Sequence, residues 1–142
     1  DCRLWGTGQY GLAYGHQFHS FCLIVRPAAK TESVESLSYA LQKGLCRVLD
    51  LEASDVGVSR RWLNKRGAAD SGVEIILYDR TPGGAGFVKE GMARWEEVEK
   101  ATVELCANCD CETACYDCLK DFGNQGYHEE LNRHSVLEFF KP

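Results

Sequence analysis

The sequence predicts an α+β domain: a small, mainly antiparallel sheet flanked by helices, with a zinc-binding cysteine cluster toward its C-terminal end. Three observations predict it. One long segment carries apolar residues at helical spacing, two strand-like runs are joined by a short polar link, and five cysteines fall within thirteen residues.

The first strand is read from His19 to Val25, a short apolar run with branched residues closed by Pro27 and expected to be buried on both faces. The segment before it, Trp5 to Gly15, is rich in Gly and Tyr without a period and is read as irregular. Thr31 is the expected N-cap of a helix running from Glu32 to Leu49. Glu32 and Glu35 lie in its first turn, where carboxylates favour the helix dipole. Val34, Leu37, Leu41, Leu45 and Val48 recur three and four apart and supply its buried side. Gly44 interrupts that helix at a cost of about 1 kcal/mol relative to Ala.

Asp55 to Trp62 reads as a second strand and Val73 to Tyr78 as a third. The polar stretch Asn64 to Gly72 joins them, so an antiparallel hairpin is expected. Pro82 and three glycines in five residues stop the third strand. From Phe87, Met92, Trp95, Val98, Thr102 and Leu105 keep helical spacing into the cysteine cluster. A last helix is expected from about His128 to Phe140, burying Leu131, Val136, Leu137 and Phe140.

Bulk properties bound the function. With 142 residues, 44% hydrophobic and 26% charged, the chain suits one soluble domain with its own core. No apolar run approaches the roughly 18–20 residues of a membrane span, so no membrane partner is expected. A net charge of −5 argues against a surface that grips nucleic acid everywhere, though a local basic patch remains compatible with it. The start Asp1-Cys2-Arg3 does not read as a secretory signal, and a start without Met is expected of a processed chain or a segment of a longer one.

Eight cysteines are present, of which Cys2, Cys22 and Cys46 are scattered and Cys106, Cys109, Cys111, Cys115 and Cys118 are clustered. A secreted disulfide scaffold spreads its cysteines along a shorter chain; tight clustering reads as metal binding in a reducing, cytoplasmic setting. Zinc takes four ligands tetrahedrally, and a Cys-x2-Cys pair on a tight turn directs two thiolates to one point. Cys115 and Cys118 form one such pair. The second comes either from Cys106 with Cys109 or from Cys109 with Cys111, leaving one cysteine spare. An iron–sulfur cluster is the competing use of four cysteines. Four thiolates leave no open position, so the site is expected to be structural and to pin the helix before it to the helix after it.

Pro82-Gly-Gly-Ala-Gly86, between a strand and a helix, can bring Gly83, Gly84 and Gly86 amides to a phosphate, including a DNA backbone. A sharp turn with positive φ is the plainer reading. Gly86 is followed by Phe87 and Val88 rather than Lys and Ser or Thr, so a nucleotide-binding P-loop is not expected. Arg60, Arg61, Lys65 and Arg66, with Trp62 among them, form the densest basic stretch and suit a phosphate backbone with base stacking. A second group, Lys120, Asn124, Gln125, His128, Asn132 and Arg133, follows the cluster. Helical spacing would place Gln125, His128 and Asn132 on one face, where they bind a ligand or knit a loop. His16 and His19 lack acidic or cysteine neighbours in sequence, and no Ser-His-Asp set, His-Glu-x-x-His motif or catalytic carboxylate pair is evident.

Two segments together resemble signatures of the MrfA-type zinc-binding domain family, found at the C-terminal end of certain superfamily 2 DNA helicases and in DrmB-like proteins of the DISARM phage-defence systems. They are Leu77-Tyr-Asp-Arg-Thr-Pro-Gly-Gly-Ala-Gly-Phe87 and Cys109-Asp-Cys-Glu-Thr-Ala-Cys-Tyr-Asp-Cys-Leu119, the latter continuing into Asn124-Gln125, His128 and Leu131-Asn-Arg133. They cover about the last seventy residues. The resemblance implies zinc held by Cys109, Cys111, Cys115 and Cys118, with Cys106 spare. Asn132 stands where the family often has Asp. It also implies an appendage to a helicase motor, in cis or as a partner subunit in trans, in a repair or phage-defence protein. The expected function is therefore a non-catalytic accessory module that helps hold DNA or couple it to the motor. A zinc-stabilised protein-docking module without DNA contact is the second expectation, and a phosphate-binding enzyme using the glycine loop the third.

Overall fold

The computed structural model describes residues 15, 17–27, 33–63 and 72–141. The element order is β1 (Cys22–Val25), α1 (Val34–Leu49), β2 (Val56–Leu63), β3 (Gly72–Asp79), α2 (Phe87–Ala93), α3 (Trp95–Ala107), a 3-10 helix (Phe122–Tyr127) and α4 (Arg133–Phe139). The expected α+β architecture is the one found. Among the described residues the sheet has three strands ordered β1-β3-β2, with both pairings antiparallel. β3 is central because its inward residues Ile75 and Leu77 are the most apolar of the sheet, and both are fully buried.

α1 is the spine of the core. Leu37, Leu41 and Leu45 are fully shielded, together with Val56, Ile75 and Leu77 from the sheet. Val34 is buried and Val48 only half-buried. The expected cap Thr31 and first turn at Glu32 lie outside the described residues. The helix begins at Val34, with the Ser33 side chain accepting from the Ser36 amide, and ends on Asp50 at φ 54°.

Gly44 is the point where α3 crosses α1. A Cβ there would lie 2.1 Å from Thr102 Oγ1 and 3.0 Å from the Val98 carbonyl oxygen. The residue that looks costly in an isolated helix thus permits the two backbones to approach.

Four local expectations are corrected. β1 begins at Cys22, not His19, and is not buried on both faces: Cys22 and Ile24 are exposed while Leu23 and Val25 are half-buried against the core. It is an edge strand with one face on the helices. The helical period expected to continue from Phe87 to Leu105 is broken at Arg94, which ends α2 and caps α3. That break resets the phase, so Met92 is exposed while Val98 and Thr102 are buried. The last α-helix begins at Arg133, not His128; Leu131 and Val136 are buried, Leu137 and Phe140 partly so. Gln125, His128 and Asn132 consequently do not share one helix face, because Gln125 lies in the 3-10 helix and Asn132 caps α4.

The expected hairpin of β2 and β3 is present, with Val58 opposite Leu77 and Arg61 opposite Glu74. Residues 64–71 of its connection, Lys65 and Arg66 included, lie outside the described residues, as do residues 1–14 and His16. No described helix is long and apolar enough to cross a membrane.

Candidate metal centre and its surroundings

α3 is buried along Val98, Thr102 and Cys106 and delivers the chain directly to the cysteine loop. Beyond its end, the Sγ atoms of Cys109, Cys111, Cys115 and Cys118 all lie within 4.8 Å of one another. Cys109 is 3.4 Å from Cys111 and from Cys115, Cys111 is 3.6 Å from Cys118, and Cys115 is 3.8 Å from Cys118. A disulfide needs about 2.05 Å. A tetrahedron with zinc–sulfur bonds of about 2.3 Å has sulfur–sulfur edges of roughly 3.8 Å. The four sulfurs therefore fit the corners of a zinc site and do not fit disulfides.

The turn that closes the site is local. The Cys118 amide donates to the Cys115 carbonyl at 3.2 Å, and the Lys120 amide donates to the same oxygen at 2.9 Å. The Cys115 amide donates to Cys118 Sγ at 3.2 Å, the kind of bond that favours a thiolate. Burial raises the Cys115 thiol, but hydrogen bonds from Cys109 and from the backbone at Asp117 and Cys118 outweigh it and bring the thiol down to about 7. Cys106 stands apart from the four. It is fully buried in α3, and burial pushes its thiol up to about 12, so it behaves as a small core residue.

Polar bonds clamp the loop to the rest of the fold. Arg133 donates from Nε to the Cys111 carbonyl at 2.8 Å and through a terminal nitrogen to the Cys106 carbonyl at 3.0 Å. Its own amide donates to the Thr113 carbonyl at 2.8 Å, and His134 Nε2 lies 3.1 Å from the Glu112 carbonyl. Asn132 Oδ1 accepts from the His134 amide at 2.9 Å and caps α4, a role that Asp and Asn fill equally well. Lys43 reaches from α1 to the Lys120 carbonyl at 2.8 Å. Burial lowers its pKa, and the nearby Asp121, Cys118 and Cys115 work against that lowering.

The described residues nominated for DNA occupy different settings. Arg60 points inward: its side chain is 12% exposed, and its guanidinium sits 4.6 Å from the Tyr127 ring centre, 5.4 Å from that of Tyr39 and 3.7 Å from Glu35. Arg61 points to the opposite face and, with Arg26, pairs with Glu74, a carboxylate only 2% exposed. Bonding from Arg61, ahead of Arg26, holds that carboxyl below its ordinary range despite its burial. Beside Arg61, Trp62 is 61% exposed.

In the glycine loop, Gly83, Gly84 and Gly86 have φ of 86°, 78° and 92°. Their amides donate to the His19 carbonyl, the Thr81 carbonyl and Asp79 Oδ2 at 2.8, 2.9 and 2.6 Å. The fully buried Asp79 also accepts from the Val88 amide at 3.0 Å, so a carboxylate of the chain itself sits where a phosphate would be expected. Behind the cluster, buried Asn124 donates to the Leu119 carbonyl and accepts from the Asp121 amide, both at 2.8 Å. His128 Nε2 lies 2.9 Å from Asn124 Oδ1 and 3.1 Å from the Asp121 carbonyl. Gln125 is exposed.

Sequence reasoning missed Lys43, which reads as one more polar position on α1, far from the cluster along the chain. It also missed Asp79 as the partner of the glycine loop. Its position immediately after the last strong strand residue, seven residues before Gly86, was the available signal.

Residues 37–119, well over half of the chain, match the family of the MrfA Zn-binding domain. The chain is 27% identical over 146 aligned positions to the Druantia protein DruE of Escherichia coli (strain UMEA 4076-1), covering 89% of this chain and 8% of that protein. It is 36% identical over 53 positions to the uncharacterized ATP-dependent helicase YprA of Bacillus subtilis (strain 168), covering 37% of this chain and 7% of that protein. The chain thus spans under a tenth of the length of these relatives. Its fold is similar to that of the DUF1998 helicase MrfA in a crystal structure bound to DNA, with a TM-score of 0.53 and 23% identity over 76% of this chain and 14% of that one. In a structure of MrfA bound to DNA and AMPPNP, the TM-score is 0.58 and the identity 21%, over 83% of this chain and 15% of that one. The converging thiols and the extent of the family match agree, and the chain belongs to the MrfA Zn-binding domain family.

Proposed function

We propose that this chain is a non-catalytic, zinc-binding accessory domain of an ATP-dependent DNA helicase or helicase-like defence or repair protein, helping to hold DNA or to couple it to the motor. The observation that carries this reading is the closed donor set. Four sulfurs at tetrahedral separations would fill every position of a zinc ion, which supports Cys109, Cys111, Cys115 and Cys118 as its ligands and structural work for the metal. The surface of the domain then carries the function. DNA contact is assigned to the end of β2, where exposed Arg61 and Trp62 precede Lys65 and Arg66, with Gln125 as a further exposed polar contact. The internal bonds of Arg60, Gly83, Gly84, Gly86, Asn124, His128 and Arg133 favour a supporting role for those residues.

The test is fluorescence anisotropy of the zinc-loaded chain with single- and double-stranded oligonucleotides over a salt series. Binding that weakens with salt, and weakens further in Arg61→Ala with Arg66→Ala, supports the reading. Absence of binding at low salt leaves the second reading, a protein-docking module. That reading is favoured by the net charge of −5 and the internal pairing of the basic side chains.

A further inference from the structure

A cleft of about 480 Å³ lies between α1, the turn before β2 and the start of the 3-10 helix, with none of the four cysteines in its lining. Its lining includes Tyr39, Gln42, Glu52, Arg80, Asp121 and Phe122. The chemistry of this lining is one-sided. Gln42, 3% exposed, spends both amide hydrogens on the Val56 carbonyl at 2.6 Å and the Ala53 carbonyl at 3.2 Å, and its Oε1 is buried without a donor among the described residues. A buried acceptor without a donor is costly. Asp121 uses Oδ1 to accept the Gly123 and Asn124 amides, which leaves its other oxygen to the cleft. Glu52 adds a second carboxylate; exposed Arg80 also lines the cleft, and the Lys43 ammonium lies near Asp121 behind it.

Two aromatic rings complete the lining. Tyr39 is buried, whereas Phe122 is 86% exposed, a large apolar ring in water next to a charged cleft. The same chain shows what such a combination holds, because Arg60 already sits over the rings of Tyr39 and Tyr127 with Glu35 beside it.

We infer that this cleft is a docking site for a basic side chain, an arginine or lysine presented by a protein segment, held by Asp121, Glu52 and Gln42 Oε1 and covered by Phe122. Charge complementarity selects the occupant: the lining offers two carboxylates, further oxygen acceptors and a ring face, and a cation pairs with the first two and stacks on the third. Phosphates of a nucleic acid would meet both carboxylates. The inference is independent of DNA contact at the end of β2, and it gives the docking reading a location.

The experiment uses the zinc-loaded chain, labelled with ¹⁵N, and three blocked tripeptides: Gly-Arg-Gly, Gly-Lys-Gly and the same peptide with citrulline in place of arginine. The expected result is a saturable shift of the Gly123 amide and the Gln42 side-chain amide with the arginine or lysine peptide. Binding should weaken at least tenfold with citrulline, in Glu52→Gln with Asp121→Asn, and in Phe122→Ala. The Asn substitution keeps the oxygen that caps the 3-10 helix, and Phe122 is exposed, so these variants retain the fold. Equal shifts with citrulline, no saturable shift with either basic peptide, or saturation of the same amides by single-stranded oligonucleotide instead would each overturn the inference.

Discussion

The two halves of this domain keep their shape by different means. Around Leu41 the structure is held by apolar surface: α1 lies on Val56, Ile75 and Leu77, and its leucines are shielded from water. Around Cys115 the described chain between residues 108 and 132 has only one short 3-10 helix and no strand. Leu119 and Leu131 anchor it to the shared core, and what converges beyond them is four sulfurs, the Arg133 guanidinium and a set of carbonyl oxygens. Four thiols packed together gain little unless a cation binds them, so the account makes the second half the metal-dependent one. The difference leads to the expectation that zinc finishes a fold which the sheet and α1 begin.

Removing the metal should break that comparison most sharply. Structural zinc contributes on the order of 10–16 kcal/mol of apparent binding energy at neutral pH. Chelation, or Cys109→Ser, should therefore release the segment from residue 109 through α4, while amides of α1 and β3 retain hydrogen-exchange protection. Equal loss of protection in both halves would show one cooperative unit instead.

The converse perturbation is Leu41→Ala, which should cost about 2–5 kcal/mol by opening a cavity in the core. Denaturant melts should show the loss, and zinc stoichiometry at low denaturant should be unchanged. Arg133→Met tests the joint between the halves. It removes two charge-assisted bonds to the carbonyls of Cys106 and Cys111, should cost about 1.5–3 kcal/mol, and should weaken zinc about 10–100-fold in competition with a chelator. Gly44→Ala should cost about 1–3 kcal/mol by forcing α3 off α1, although an isolated helix would gain from the change.

The smallest effect is a pH dependence confined to the sheet. Arg61 and Arg26 hold the Glu74 carboxyl below its ordinary value. The stability it contributes is present above the unfolded carboxylate range and is lost as pH falls through the lowered folded value. Glu74→Gln should therefore melt below the parent at neutral pH, and the gap should close on acidification. A gap that stays constant down through that range would contradict the assignment.

Much of this was legible in the sequence where a single local rule governs. Leu37, Leu41 and Leu45 follow the helical period, and the run from Gly72 to Asp79 is strand in type and nearly in length. Cys115 and Cys118 are placed by their own turn, so their spacing sufficed. Legibility fell where a distant partner decides. Arg94 breaks a run that keeps a helical period on paper, and its guanidinium reaches the Val48 carbonyl and Glu97. Arg60 reads as a surface cation, yet strand alternation turns it inward onto Tyr39 and Tyr127. The glycine loop reads as a phosphate cradle until the buried carboxylate of Asp79 is found on its amides. Spacing alone admits Cys106 among the five cysteines; the family resemblance chose the other four, and theirs are the sulfurs that converge.

The most direct measurement is X-ray absorption at the zinc edge on the purified chain, with metal content, compared across Cys106→Ser, Cys109→Ser and Cys111→Ser. The account predicts one zinc per chain with four sulfurs at about 2.3 Å, unchanged in Cys106→Ser and reduced in the other two. A shell containing nitrogen or oxygen in the parent chain, or one lost in Cys106→Ser and intact in Cys111→Ser, would contradict it.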